Sequence, residues 1–162
     1  MEAKSNEYRV YIEEHKRNVV RAYERIRATC RSVGWVDRAV ARIDATDRIA
    51  THDDTKYSRA EFDAYRRRFY PVSPAERDAA GFAAAWRHHY TANDHHWEHW
   101  LVSGRPTDMS DEAIVEMVAD WEAMSYLKGG GALRWLEQQG GRMHLTDATR
   151  EKARVLAALL CR

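Results

Sequence analysis

Thr51-His52-Asp53-Asp54-Thr55-Lys56 joins two helical segments and sets an imidazole directly beside a carboxylate. Upstream, Val36, Val40 and Ile43 recur at four- and three-residue steps, the period of a helix with one apolar face. Downstream, Ser58-Arg59-Ala60-Glu61 has capping-box spacing, in which hydroxyl and carboxylate satisfy each other's backbone donors, so a helix is expected to start there. The doublet thus falls where two helices meet, and imidazole with carboxylate suits a borderline divalent metal. Taken alone, His-Asp reads as an exposed turn. It gains weight only if other segments supply matching ligands.

Outward from this junction the chain is helical. Tyr8, Ile12, His15, Val19, Ala22 and Ile26 form an apolar stripe over residues 8–30, with His15 inside it and therefore facing the core. Gly34 breaks that helix, and a second covers residues 36–49. A third carries Phe62, Tyr65 and Phe69 on one face and stops before Pro71. Ser73-Pro74-Ala75-Glu76 is expected to start the fourth, with another capping-box pair. Residues 95–101 either continue it or restart with Asp94 as cap. Beyond Gly104-Arg105-Pro106, Ser110 caps a helix through Ile114, Met117, Val118, Trp121 and Met124. Gly129-Gly130-Gly131 ends that helix, a short one holds Leu133, Trp135 and Leu136, and Thr146 opens the last. No segment alternates like a strand over a useful length. The expected fold is a single all-α domain spanning residues 1–162.

Bulk properties narrow the function classes. Charged residues make up 31% of the 162, yet the net charge is only +1, which argues against a nucleic-acid tail or a polybasic membrane patch. No apolar run has the length of a membrane span and the start carries no secretory core, so the expected compartment is the cytoplasm. Cys30 and Cys161 lie far apart, form no CxxC, and are expected as small buried hydrophobes.

Histidine stands out: four of the eight lie within residues 88–96. If one helix runs through Trp86-Arg87-His88-His89-Tyr90-Thr91-Ala92-Asn93-Asp94-His95-His96, then His89 and His96 share a face and His88 and His95 the neighbouring one. Two histidine columns exceed what a core needs, because each buried imidazole must have its nitrogens satisfied. His99 is expected at the surface. Asp120 sits on the edge of the stripe of Met117, Trp121 and Met124, where a carboxylate needs a cation or an arginine partner.

His15 on a first core helix, His52-Asp53, a paired-histidine segment and a late Asp120 together resemble, in this order, the HD-domain metal-dependent phosphohydrolases. The spelling His52-Asp53-x-x-Lys56 with His95-His96 downstream looks most like the two-metal branch, such as the HD-GYP phosphodiesterases. The Gly-Tyr-Pro element is missing, so cyclic dinucleotide hydrolysis is not implied. Ala85-Trp86-Arg87-His88-His89 followed by His95-His96-Trp97 is also similar to a family of small bacterial and phage proteins that contributes no activity.

The resemblance implies a helical bundle in which His15, His52, Asp53 and Asp120 hold one divalent ion. His89, His95 and His96 would complete a second site, with Asp53 bridging. Mn, Fe, Co, Ni or Zn is favoured over Mg by the imidazoles. The implied reaction is metal-assisted hydrolysis of a small phosphate ester, a nucleotide above all, with no membrane or duplex nucleic acid as partner; an oligomer is open. Asp53 and Lys56 are the catalytic candidates. Lys56, Arg66 and Arg87 are the candidates for gripping phosphate, although a lysine near a helix start or an arginine run on a helix is commonly solvated. Three alternatives stand beside this: an HD-type di-iron oxygenase, a helical pyrophosphatase using Glu112, Glu116 and Asp120, and a metal-binding module without catalysis.

Overall fold

The computed structural model describes residues 1–161. It is all-α, with seven helices and a single two-residue hairpin among those residues. In chain order the helices are α1 (Glu2–Thr29), α2 (Gly34–Asp44), α3 (Phe62–Phe69), α4 (Ala79–Ala92), α5 (Asp111–Lys128), α6 (Gly131–Gln139) and α7 (Asp147–Leu160). No described helix is long and apolar enough to cross a membrane.

Helix α5 is the axis. The run from Ala113 to Ala119 is buried on every side, because α1, α2, α6 and α7 all pack around it. Its start matches the sequence: Ser110 Oγ accepts from the Ala113 N–H at 3.1 Å. Helix α7 begins the same way, with Thr146 accepting from the Thr149 N–H.

Two apolar clusters result. The larger joins α1 beyond Val19 to α2, α5, α6 and α7. The smaller gathers Tyr8, Ile12, Tyr65 and Ala85 from α1, α3 and α4. Along α1 the change from one to the other falls between Ile12 and Val19, and His15 occupies that seam.

Several boundaries differ from expectation. Ser58 and Glu61 form no capping box: α3 starts at Phe62, and the Ser58 hydroxyl has no hydrogen-bond partner among the described residues. The Ser73–Glu76 pair closes only a 3₁₀ turn, since Arg66 and the Val72 N–H draw Glu76 away, and α4 is capped instead by Asp78. Gly34 is the first residue of α2 rather than a break within α1's end. Leu101–Val102 pairs antiparallel with Arg105–Pro106 across Ser103-Gly104, both at positive φ, the signature of a tight hairpin turn. Cys30 is buried as expected, but Cys161 is exposed.

With Ile114 fully enclosed on α5, Ile114→Ala should lower unfolding free energy by about 3 kcal/mol. Denaturant titration of the metal-free protein measures it, and a loss below about 1 kcal/mol would contradict the central place given to α5.

Candidate metal centre

Five segments converge on the seam. Helix α1 supplies His15, and the connection between α2 and α3 supplies His52, Asp53 and Lys56. Helix α4 supplies His89. The chain leaves helix at Asn93, so His95 and His96 come from irregular backbone, and α5 supplies Asp120. The end of α4 matters: a continuous helix would have put His95 and His89 on different faces, whereas the break turns both inward. His15, His52, Asp53, His89 and His95 are buried to within about 2%.

Asp53 lies at the middle. Its backbone is left-handed (φ 60°, ψ 15°), a conformation that aspartate tolerates better than most residues. Its Oδ2 faces His15 Nε2 at 3.5 Å and His52 Nε2 at 3.4 Å. Its Oδ1 faces His89 Nε2 at 3.2 Å and His95 Nε2 at 3.6 Å. Asp120 Oδ1 closes the first side, 3.1 Å from His15 Nε2 and 4.0 Å from His52 Nε2. His96 joins Asp53, His89 and His95 in the second group.

Most of these separations exceed a good N–H···O bond, which runs roughly 2.7–3.2 Å. They match another quantity. Two ligand atoms each about 2.1 Å from one tetrahedral ion stand roughly 3.4 Å apart.

The outer contacts fix which nitrogen is offered. A carboxylate can only accept, so His52 Nδ1 donates to Glu116 Oε1 (2.7 Å), and His95 Nδ1 reaches the same oxygen at 3.2 Å. His89 Nδ1 donates to Glu61 Oε2 (2.8 Å), while Glu61 Oε1 takes His88 Nδ1 (2.7 Å). For His52, His95 and His89, Nε2 is left for the centre, whereas His88 lies on the exposed side of α4. The buried Nε2 atoms of His52, His95 and His96, and Asp53 Oδ1, have no hydrogen-bond partner among the described residues. Unpartnered acceptors converging on one point, with the His52, His95 and His89 rings each anchored by a carboxylate behind it, form a donor set suited to a metal ion. The buried His/Asp cluster can hold a metal ion.

Glu61 and Glu116 were not foreseen in this role. The sequence pattern places Glu61 in a capping box, and Glu116 with Glu112 and Asp120 at four-residue spacing on one helix. In the structure Glu112 turns out to Arg42, so the three carboxylates do not converge. Arg48 pairs with Glu116 and with Asp94, which accounts for Asp94 not capping a helix.

The expected phosphate-gripping residues fare differently. Arg66 is 2% exposed and paired with Glu76 at 2.9 Å, away from the cluster. Arg87 lies on the outer, exposed side of α4 beside His88 and Thr91. Lys56 does reach the centre, but its Nζ sits 2.5 Å from Asp53 Oδ2 and serves that carboxylate. His99 is exposed, as expected, with its ring against the Tyr90 and Thr91 carbonyls.

A family model described as a family of unknown function (DUF5662) matches residues 4–160. The chain belongs to that family. No curated protein and no solved structure matches it. The matched span holds every residue of the cluster, from His15 to Asp120.

Charge at the centre is unbalanced toward acid. Burial opposes protonation of His52, but Asp53, Glu116 and Asp120 outweigh it and raise its pKa to about 10. His15 and His89 are likewise raised against burial, by Asp120 and Asp53 for the first and by Asp53 and Glu61 for the second. Burial also opposes ionisation of Glu61, Glu116 and Asp120, yet the facing histidines hold all three below the usual carboxylate range. His96, crowded by burial and by His95 and His89, is pushed well below 6.5 and stays neutral.

Two measurements follow from this arrangement. In the metal-free protein, the raised histidines contribute stability that is complete below about pH 6.5 and lost as pH rises, through about 10 for His52. The depressed carboxylates contribute stability present above about pH 4.5 and lost as pH falls. Thermal melts in chelator should therefore peak between those limits and drop by pH 9; a melt higher at pH 9 than at pH 6 contradicts the assignment. Separately, Glu116→Gln should weaken divalent-metal binding about 10- to 100-fold by calorimetry, because it loosens His52 and His95 together. Unchanged affinity would remove Glu116 from the site.

Proposed function

We propose that the cluster is a dinuclear metal centre and that the protein is a metal-dependent phosphohydrolase. One observation carries this reading: the two oxygens of Asp53 face two different pairs of histidines. A carboxylate serving one ion has no need to divide four imidazoles between its oxygens.

The order of the ligands along the chain supports the reading, since it resembles that of the two-metal HD-domain phosphohydrolases. Divalent ions such as Mn, Fe, Co, Ni or Zn, when bound, acidify water and neutralise phosphoryl charge. The chain's own residues do the rest. Asp53 keeps its two oxygens turned to opposite sides, and Lys56 fixes one of them. Glu116 and Glu61 hold three imidazoles with Nε2 pointing inward. His15 and Asp120 complete the more accessible side, where Asp120 retains 18% exposure of its side chain. The burial of His15, His52, Asp53, His89 and His95 excludes bulk water except at Asp120 and the part-exposed His96.

Protein purified without chelator should carry two ions per chain by elemental analysis and release phosphate from a phosphate ester. Asp53→Asn should lose both ions and all turnover, while His89→Ala should lose about one ion. A single ion at saturation would defeat the dinuclear reading. Turnover unaffected in Asp53→Asn would defeat the hydrolase reading.

A further inference from the structure

The cluster has two accessible members. His96 and Asp120 are part-exposed while the other ligands are buried, and both line the same cavity of about 550 Å³. That volume lies within the range of small-molecule sites, roughly 300–1,000 Å³. The cavity is therefore the approach to the centre. It opens along α5 and α6, and neither Arg66 nor Arg87, the arginines suggested by the sequence, lines it.

Its walls have a clear chemistry. Trp86, Trp97, Trp121 and Trp135 line it, four of the six tryptophans in the chain. Trp135 is 44% exposed, an indole held at the mouth with nothing packed over much of its surface. Lys128 and Arg134 line the far end and form no ion pair among the described residues. The start of α6 is not the anion site here, because Glu122 Oε2 already accepts from the Ala132 N–H at 3.0 Å. Glu98 adds an acceptor, its buried Oε2 lacking any hydrogen-bond partner among the described residues.

The spacing of these groups is set by one helix. Asp120, Met124 and Lys128 recur every four residues on α5 and all line the cavity. At 1.5 Å per residue, Asp120 and Lys128 stand about 12 Å apart along the axis. A single phosphate cannot meet both ends. We propose that the cavity takes an elongated phosphate ester with a flat apolar body, one phosphate at the metal centre and a second anionic group at Lys128 and Arg134. The tryptophan faces hold the body between them. The placement of the first phosphate rests on the hydrolase reading; the apolar body and the second anion rest on the cavity alone.

The test uses the full chain loaded with Mn²⁺ and two probes, 2-naphthyl phosphate and naphthalene-2,6-diyl bisphosphate. Calorimetry gives affinity, and phosphate release is followed in parallel. The bisphosphate should bind about tenfold more tightly, and Lys128→Ala with Arg134→Ala should abolish that gain while leaving the monophosphate unchanged. Trp135→Ala, at a half-exposed position that the fold tolerates, should weaken both probes about tenfold and leave inorganic phosphate unaffected. Equal affinity for the two probes, or a gain that survives the double substitution, overturns the proposal. Tight binding without phosphate release keeps the cavity assignment and removes the hydrolase reading. Phosphate release with affinities indifferent to all three substitutions does the reverse.

Discussion

Everything near the seam of this protein answers to one carboxylate. Asp53 is buried, left-handed in backbone, and ringed by imidazole nitrogens at 3.2–3.6 Å. A lone buried carboxylate would cost several kcal/mol, so the surrounding groups must supply positive charge, either as protons on histidine and the Lys56 ammonium or as cations. The rest of the architecture serves that demand. Helices α1 and α5, packed together, bring a histidine and a second aspartate to one side of Asp53. The α2–α3 connection presents the carboxylate, and the break after α4 turns two more histidines inward.

Charge also explains the second layer. Glu116 accepts from two ligand rings and is itself neutralised by Arg48; Glu61 accepts from His89 and His88. Each of these carboxylates fixes a tautomer, and a ring whose Nδ1–H is committed has only Nε2 to offer. Because a single oxygen of Glu116 touches both His52 and His95, the two sides of Asp53 share one support.

The sequence carried the parts of this site that depend on residue type and helical period. His15 was legible because it interrupts an apolar stripe, Asp120 because it edges another, and the 88–96 segment because its histidines are too dense for a core. The helical fold was legible for the same reason, since period 3.6 recurs along the chain. What stayed hidden was tertiary. Ser58 and Glu61 have ideal capping-box spacing, but the buried His89 and its neighbour His88 compete for the same carboxylate and win. Arg66 stands in a basic run that looks solvated, yet Glu76 draws it into the protein. Gly104-Arg105-Pro106 reads as a plain break rather than part of a hairpin, because two-residue strands have no periodicity to detect.

The position of the centre between two apolar clusters has a polymer consequence. Cys30 is buried and Cys161 exposed, both as free thiols, so no disulfide ties distant parts of the chain together. Ligands drawn from α1, the α2–α3 connection, α4 and α5 make the centre a multi-armed cross-link, closing several long loops at one point. Closing a loop removes conformational freedom from the unfolded chain, with a cost that grows only slowly with length, so the longest closures restrict it most. Helices α3 and α4 rest on the smaller cluster of four buried side chains, and they are the part of the fold that such a cross-link would bind most strongly to the remainder.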